Sequence, residues 1–207
     1  MPPSQVLELK EKGNESLKKG NYAEAMIHYT HALKLDPSNY QLYSNRSLAF
    51  LKLQQYYYAL EDAKQTISYK PDWAKGYFRK GEVEFQTEHY SDAIESYRKA
   101  LQLEDDPNLV DAIRKAKREL YLLRKADVQY PWIGAGVGFI LGALLVAADT
   151  VIKEESFLQH PFLKVLLIVV TVCICYAVTK WHRHYLSQYR KSLLELPFDL
   201  FGNQGNQ

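Results

Sequence analysis

The sequence predicts an all-α chain: three helical hairpins stacked as an α-solenoid, a capping helix, and then a two-helix transmembrane hairpin. Three observations lead there. The first half of the chain repeats itself at a fixed step, the distance from Ala25 to Ala59 and again from Ala59 to Ala93. Each repeat divides at a turn signal into two segments of helical periodicity. Beyond residue 131 the polar, charge-rich sequence gives way to two long apolar runs.

The period is carried by several aligned columns. Besides Ala25, Ala59 and Ala93, the same step separates Leu9, Tyr43 and Tyr77. Gly13, Ser47 and Gly81 keep it, and so do Leu33, Ile67 and Leu101. Pro37 and Pro71 follow it, and Pro107 arrives two positions late. The repeats therefore run over 6–39, 40–73 and 74–107. In the first, "LELKEKGNESLKKG" is a helix closed by Gly20, and "NYAEAMIHYTHALKL" is its partner, closed by "DPSN". Small residues in the alanine and glycine columns let neighbouring helices approach, and large ones such as Tyr29 and Tyr97 fill the space between them. The segment 108–126 supplies the capping helix with a polar outer face that a stack of repeats needs.

Residues 6–107 resemble the tetratricopeptide repeat (TPR) family, with Gly or Ala at the eighth position of a repeat, Ala at the twentieth, Tyr at the twenty-fourth and Pro near the end. In a stack of such hairpins the first helix of each pair forms the inner wall of a superhelix. Positions about one period apart on successive first helices become neighbours there. Lys75 and Arg79 stand one helical turn apart on one such helix, where two like charges repel. One period before Arg79 stands Asn45, and on the helix before that stand Lys10 and Asn14. The inner wall thus gathers three cations and two amides, a set suited to an extended, carboxylate-rich peptide.

With "LKEKGN", "LYSNRS" and "KPDWAKGYFRK" in place, the chain is similar to the dicarboxylate-clamp co-chaperones of that family, the first repeat module of the heat-shock organising protein especially. The resemblance implies a clamp of Lys10, Asn14, Asn45, Lys75 and Arg79. It also implies a ligand, the C-terminal Glu-Glu-Val-Asp of the cytosolic 70- or 90-kilodalton heat-shock chaperones. Leu17, Leu48 and Phe85 are expected to form an apolar pocket for the residue before the two glutamates. The choice between the two chaperones stays open.

The run 132–148 contains no charge, and Val151 and Ile152 extend it past Asp149. The run 162–179 contains one, Lys164, near its start. Both reach the length of a membrane-spanning helix, giving spans at 132–152 and 162–179, a short non-cytosolic loop at 153–161 and a cytosolic tail at 180–207. Lys and Arg crowd the outer flanks of both runs, while the loop is acidic, so both ends of the chain are expected in the cytosol. The endoplasmic reticulum suits spans this short, with the mitochondrial outer membrane as the other option. Gly134, Gly138 and Gly142 make a smooth helical face that packs either on the second span or on another copy of the chain.

Composition excludes other classes. A net charge of +2 is too small for a nucleic-acid binder. Cys173 and Cys175, the two cysteines of the chain, point about 200° apart on a helix and cannot bridge one another. No nucleophile–base pair, phosphate loop or metal-ligand cluster occurs, so neither an enzyme nor a cofactor is expected. The expected function is a membrane-anchored co-chaperone adaptor that recruits heat-shock chaperones to an organelle. The alternative is a receptor subunit of a protein-import or membrane-insertion machine that takes chaperone-bound precursors.

Overall fold

The computed structural model describes residues 3–152 and 160–196. Among them the chain is helical throughout: α1 (Pro3–Lys18), α2 (Tyr22–Leu35), α3 (Tyr40–Lys52), α4 (Tyr56–Tyr69), α5 (Ala74–Gln86), α6 (Tyr90–Leu103), α7 (Pro107–Ile152) and α8 (Pro161–Ser192). The described residues up to Leu120 and from Arg190 onward form one compact unit, and Tyr121–Tyr189 form a second.

In the first unit α1 packs on α2, α3 on α4 and α5 on α6, and each hairpin packs on the next. The first helices also touch directly, α1 against α3 and α3 against α5. This is the continuous inner wall that the period of the sequence demands.

The turns inside the hairpins repeat as faithfully as the helices. Gly20, Gln54 and Glu88 all take left-handed backbone, with φ of 82°, 59° and 61°. After each, an amide reaches back to a helical carbonyl: Asn21 to Ser16 at 2.8 Å, Gln55 to Phe50 at 2.9 Å and His89 to Glu84 at 2.8 Å. This is the Schellman closure. The sequence signals it at Gly20, where glycine adopts the conformation freely. At Gln54 and Glu88 a side chain is forced into the same conformation, and no local signal marks it.

The glycine column has a steric cause. A Cβ at Gly13 would lie 2.5 Å from the Tyr29 ring, and one at Gly81 would lie 2.6 Å from the Tyr97 ring. The middle repeat solves the same space differently. Ser47 replaces glycine, Ala63 stands where the other repeats have tyrosine, and the Ser47 hydroxyl donates to the Ala59 carbonyl at 2.7 Å. Each repeat contributes to a cluster of buried side chains. The last cluster, around Ala93, Tyr97 and Ala100, is completed by Leu109, Ile113 and Ala116 of α7.

In the second unit the three predicted glycines of α7 lie against α8. A Cβ at Gly134 would lie 2.6 Å from Thr179, and one at Gly138 would lie 2.8 Å from the Val172 Cα. One at Gly142 would lie 2.9 Å from the Ile168 Cα. Partner numbers fall as glycine numbers rise, so the two helices run antiparallel. Their outward faces carry exposed Ile133, Phe139, Ile140, Leu144, Phe162, Val165 and Val169. Both helices are long and apolar enough to cross a membrane by length and composition.

One boundary differs from expectation. The capping segment and the first apolar run form a single helix of 46 residues, with Pro131 inside it. The expected bounds, 108–126 and 132–152, leave a gap at 127–131, and the helix runs through it. The segment carries no glycine or turn signal, and its side chains are held instead. Arg183 forms an ion pair with Asp127 and lies 5.4 Å over the Tyr130 ring. The second apolar run likewise continues as helix to Ser192 rather than ending at 179. The expected loop residues 153–159 and the tail beyond 196 lie outside the described residues.

Candidate anion-binding groove

The five residues singled out from the sequence come from the three first helices of the stack: Lys10 and Asn14 from α1, Asn45 from α3, Lys75 and Arg79 from α5. Side-chain bonds join α1 to α3 here. The Asn45 amide donates to Asn14 Oδ1 at 3.0 Å. The Lys10 ammonium donates to Gln41 Oε1, also on α3. Lys10, Gln41, Asn45, Trp73 and Lys75 enclose one cavity of about 220 Å³. Lys75 and Arg79 also line a neighbouring cavity of about 530 Å³ with Phe78 and Leu109.

The amides are aimed from behind. Tyr29, fully buried in the first core, donates its hydroxyl to Asn14 Oδ1 at 2.7 Å. Asn14 Oδ1 therefore accepts from both Tyr29 and Asn45, which fixes its amide so that its two N–H donors point the other way. Burial pushes the Tyr29 phenol up to about 12, so it stays a neutral donor.

The cations are electrostatically strained. Burial holds the Lys75 ammonium below its ordinary value, and the nearby charges of Arg79 and then Lys10 push the same way, with Glu82 opposing. The Lys75 ammonium lies 5.6 Å from the Trp73 ring centroid. Arg79 Nη1 is held by Glu82, while Arg79 Nε is buried without a hydrogen-bond partner among the described residues. A buried cationic N–H left unpaired is costly, and an anion placed here would relieve it.

A second set of polar contacts fixes the helices that carry the groove. Arg46, next to Asn45, forks onto Asp62 of α4 at 2.7 and 2.8 Å and donates to Thr30 of α2 at 3.1 Å. Burial raises the Asp62 carboxyl above its usual range, against the opposing pull of Arg46. One period later Lys80 donates to Ser96 at 3.2 Å and pairs with Glu84 at 2.8 Å, joining α5 to α6.

The three proposed apolar residues come from α1, α3 and α5 and are each half-buried. Leu17 packs half-buried against the core around Ala25 and Tyr29, and Leu48 is half-buried on α3. Phe85 stacks edge-on to Tyr90 at 5.2 Å, under the Lys115 ammonium. It lines a cavity of about 510 Å³ with Leu51, Tyr56, Phe78, Tyr97 and Ala112.

Sequence reasoning missed Gln41, Tyr29 and Glu82 as members or supports of the site. Gln41 was findable, since it stands one period before Lys75 in the same column. Tyr29 signalled only core packing, because nothing in the sequence says where its hydroxyl ends.

Comparison with known proteins bears on this geometry. Residues 13–54 match the family described as TPR repeat, and residues 74–107 match that described as tetratricopeptide repeat. The Hsp70-Hsp90 organizing protein 2 of Arabidopsis thaliana is 40% identical over 124 residues, which cover 58% of this chain and 21% of that protein. The chain thus spans about a fifth of that relative's length. The first TPR of Spaghetti (RPAP3), bound to the HSP90 peptide SRMEEVD, is similar with a TM-score of 0.55 at 30% identity, over 58% of this chain and 97% of that one. The second TPR domain of human RPAP3, in complex with the HSP70 peptide SGPTIEEVD, gives 0.54 at 30% identity, over 56% and 98%.

Proposed function

The repeats of this chain are tetratricopeptide repeats like those of the Hsp70-Hsp90 organizing proteins, and on that premise we propose that it is a membrane-anchored co-chaperone adaptor. Its groove takes the free acidic C-terminus of 70- or 90-kilodalton heat-shock chaperones. The reading is supported by Asn14 bonded to Asn45, by Lys10, Asn45 and Lys75 lining one cavity and Lys75 and Arg79 the next, and by a buried Arg79 Nε without a hydrogen-bond partner among the described residues. The terminal carboxylate and the last aspartate side chain meet the two amides and Lys10. The preceding acidic side chains meet Lys75 and Arg79 through charge-assisted bonds. The similar RPAP3 domains, whose bound peptides both end in Glu-Glu-Val-Asp, support the same ligand class.

The apolar helices serve as the anchor. Their outward faces are apolar and their mutual contact is built on small residues, the reverse of a water-soluble helix pair. Trp132 and Trp181 are exposed near the ends of the apolar runs, where amphipathic rings settle at a bilayer surface. Cations flanking both outer ends of the hairpin support a topology with both termini and the groove in the cytosol, and the short spans favour the endoplasmic reticulum over the mitochondrial outer membrane.

The test is a pull-down from cytosol with the full chain in detergent, wild type against Arg79→Ala, probed for the two chaperones. Wild type retains one or both, and Arg79→Ala loses them. Equal retention by both chains contradicts the proposal.

A further inference from the structure

We propose that Glu82 is an internal carboxylate that occupies Arg79 when the groove is empty, so that an acidic peptide binds by exchanging with it. The inference rests on the clamp reading above and assigns to it a residue that tunes its affinity.

Glu82 lies one helical turn beyond Arg79 on α5, at the i,i+3 spacing that brings two side chains together. It forms an ion pair with Arg79 Nη1. The side chains are 12% exposed for Arg79 and 28% for Glu82, so the pair is shielded from water on the guanidinium side and open on the carboxylate side. A carboxylate that is the more exposed partner is the one free to leave. The guanidinium stays, its Nε buried and still without an acceptor. Glu82 is also the one group acting to raise the Lys75 pKa, against burial, Arg79 and Lys10. Its charge thus reaches both cations of the α5 pair, the two positions proposed to hold the acidic side chains of a ligand.

Two effects follow. A ligand carboxylate must displace Glu82 from Arg79 to make its own bond, and it approaches a like charge on the way. Glu82 therefore lowers affinity for an acidic chain end and leaves a ligand that does not engage Arg79 untouched. This keeps a strongly cationic groove from holding stray carboxylates and makes peptide release faster. Fixed in sequence so close to Arg79, Glu82 presents its carboxylate at high effective concentration and needs no affinity of its own.

The test compares the full chain in detergent with Glu82→Gln, which keeps size and removes charge. Two peptides with free C-termini are titrated, one ending in Glu-Glu-Val-Asp and one in which those acidic side chains are replaced by amides, ending in Gln-Gln-Val-Asn. For the acidic peptide, Glu82→Gln tightens binding about two- to fivefold, within the range of a partly exposed ion pair. The gain shrinks as salt rises. For the amide peptide the variant and wild type agree. Unchanged or weaker binding of the acidic peptide by Glu82→Gln overturns the proposal, as does an equal gain for both peptides. Arg79→Ala, run alongside, separates the two claims. If it loses the acidic peptide while Glu82→Gln is silent, the exchange is wrong and the clamp stands. If wild type binds neither peptide, the clamp itself fails.

Discussion

The hydroxyl of Tyr29 donates to Asn14 Oδ1 at 2.7 Å, from a ring with no exposed surface. A core side chain of the first hairpin therefore sets the orientation of an amide in the groove. Tyr29→Phe keeps the ring and removes the donor, leaving Asn14 Oδ1 held by Asn45 alone. Loss of one neutral hydrogen bond of about 1 kcal/mol predicts roughly fivefold weaker binding of an acidic C-terminal peptide. Calorimetric titration checks it, and wild-type affinity in Tyr29→Phe contradicts it.

Lys75 gives the groove a pH dependence. Its ammonium is held below the ordinary value of 10.5 by burial, then by Arg79 and Lys10. A bound carboxylate favours the charged form and raises that pKa, so the complex binds more protons than the free chain. Affinity is complete below the depressed pKa of the empty groove and is lost as pH climbs through it. Titrations in two buffers of different ionisation enthalpy find proton uptake on binding in that alkaline window. In Lys75→Met the uptake is absent.

How much of this was legible in the sequence depends on the kind of interaction. The repeat boundaries were readable because Ala25, Ala59 and Ala93, and Gly13 opposite Tyr29, are dictated by close helix approach, which acts at every period. The positions of the five groove residues on α1, α3 and α5 followed from the same register. Side-chain rotamers did not. That the Tyr29 hydroxyl would end on Asn14 Oδ1, or that Lys10 would reach Gln41, is decided by local packing that a period cannot express. The gap at 127–131 between the expected capping helix and first span is helical, and there Arg183 ties Asp127 and Tyr130 from α8, a contact between residues far apart in sequence.

The glycine–tyrosine columns predict a compensating pair. Gly81→Ala drives a methyl group into the Tyr97 ring, where a Cβ would lie 2.6 Å away. The overpacking costs about 1–3 kcal/mol and outweighs the helix-propensity gain of about 1 kcal/mol. Gly81→Ser with Tyr97→Ala, which copies the middle repeat, loses less than the sum of its two single changes. Thermal melting of all four chains checks the coupling.

The hairpin turns predict a stabilising change. Gln54 holds a φ of 59° that Gly20 takes freely in the equivalent turn. Gln54→Gly relieves left-handed strain and raises stability by about 1 kcal/mol. An unchanged or lower melting temperature contradicts it.

The apolar hairpin offers an internal control. Gly138 meets the Val172 backbone closely, whereas a Cβ at Gly136 would have nothing within 4 Å. Gly138→Leu therefore separates α7 from α8 and lowers the melting temperature of the detergent-solubilised chain, while Gly136→Leu leaves it unchanged.

The central claim is that α1, α3 and α5 together make a receptor for a free acidic chain end. Its most direct measurement is titration of the full chain with a synthetic peptide ending in Glu-Glu-Val-Asp, for wild type, Lys75→Ala and Arg79→Ala. Each charge-assisted bond contributes about 1.5–3 kcal/mol, so each single variant binds at least about tenfold more weakly, and amidating the peptide C-terminus weakens binding to wild type as well. Variants that bind as tightly as wild type, or a wild-type chain indifferent to the peptide's terminal carboxylate, would contradict the account.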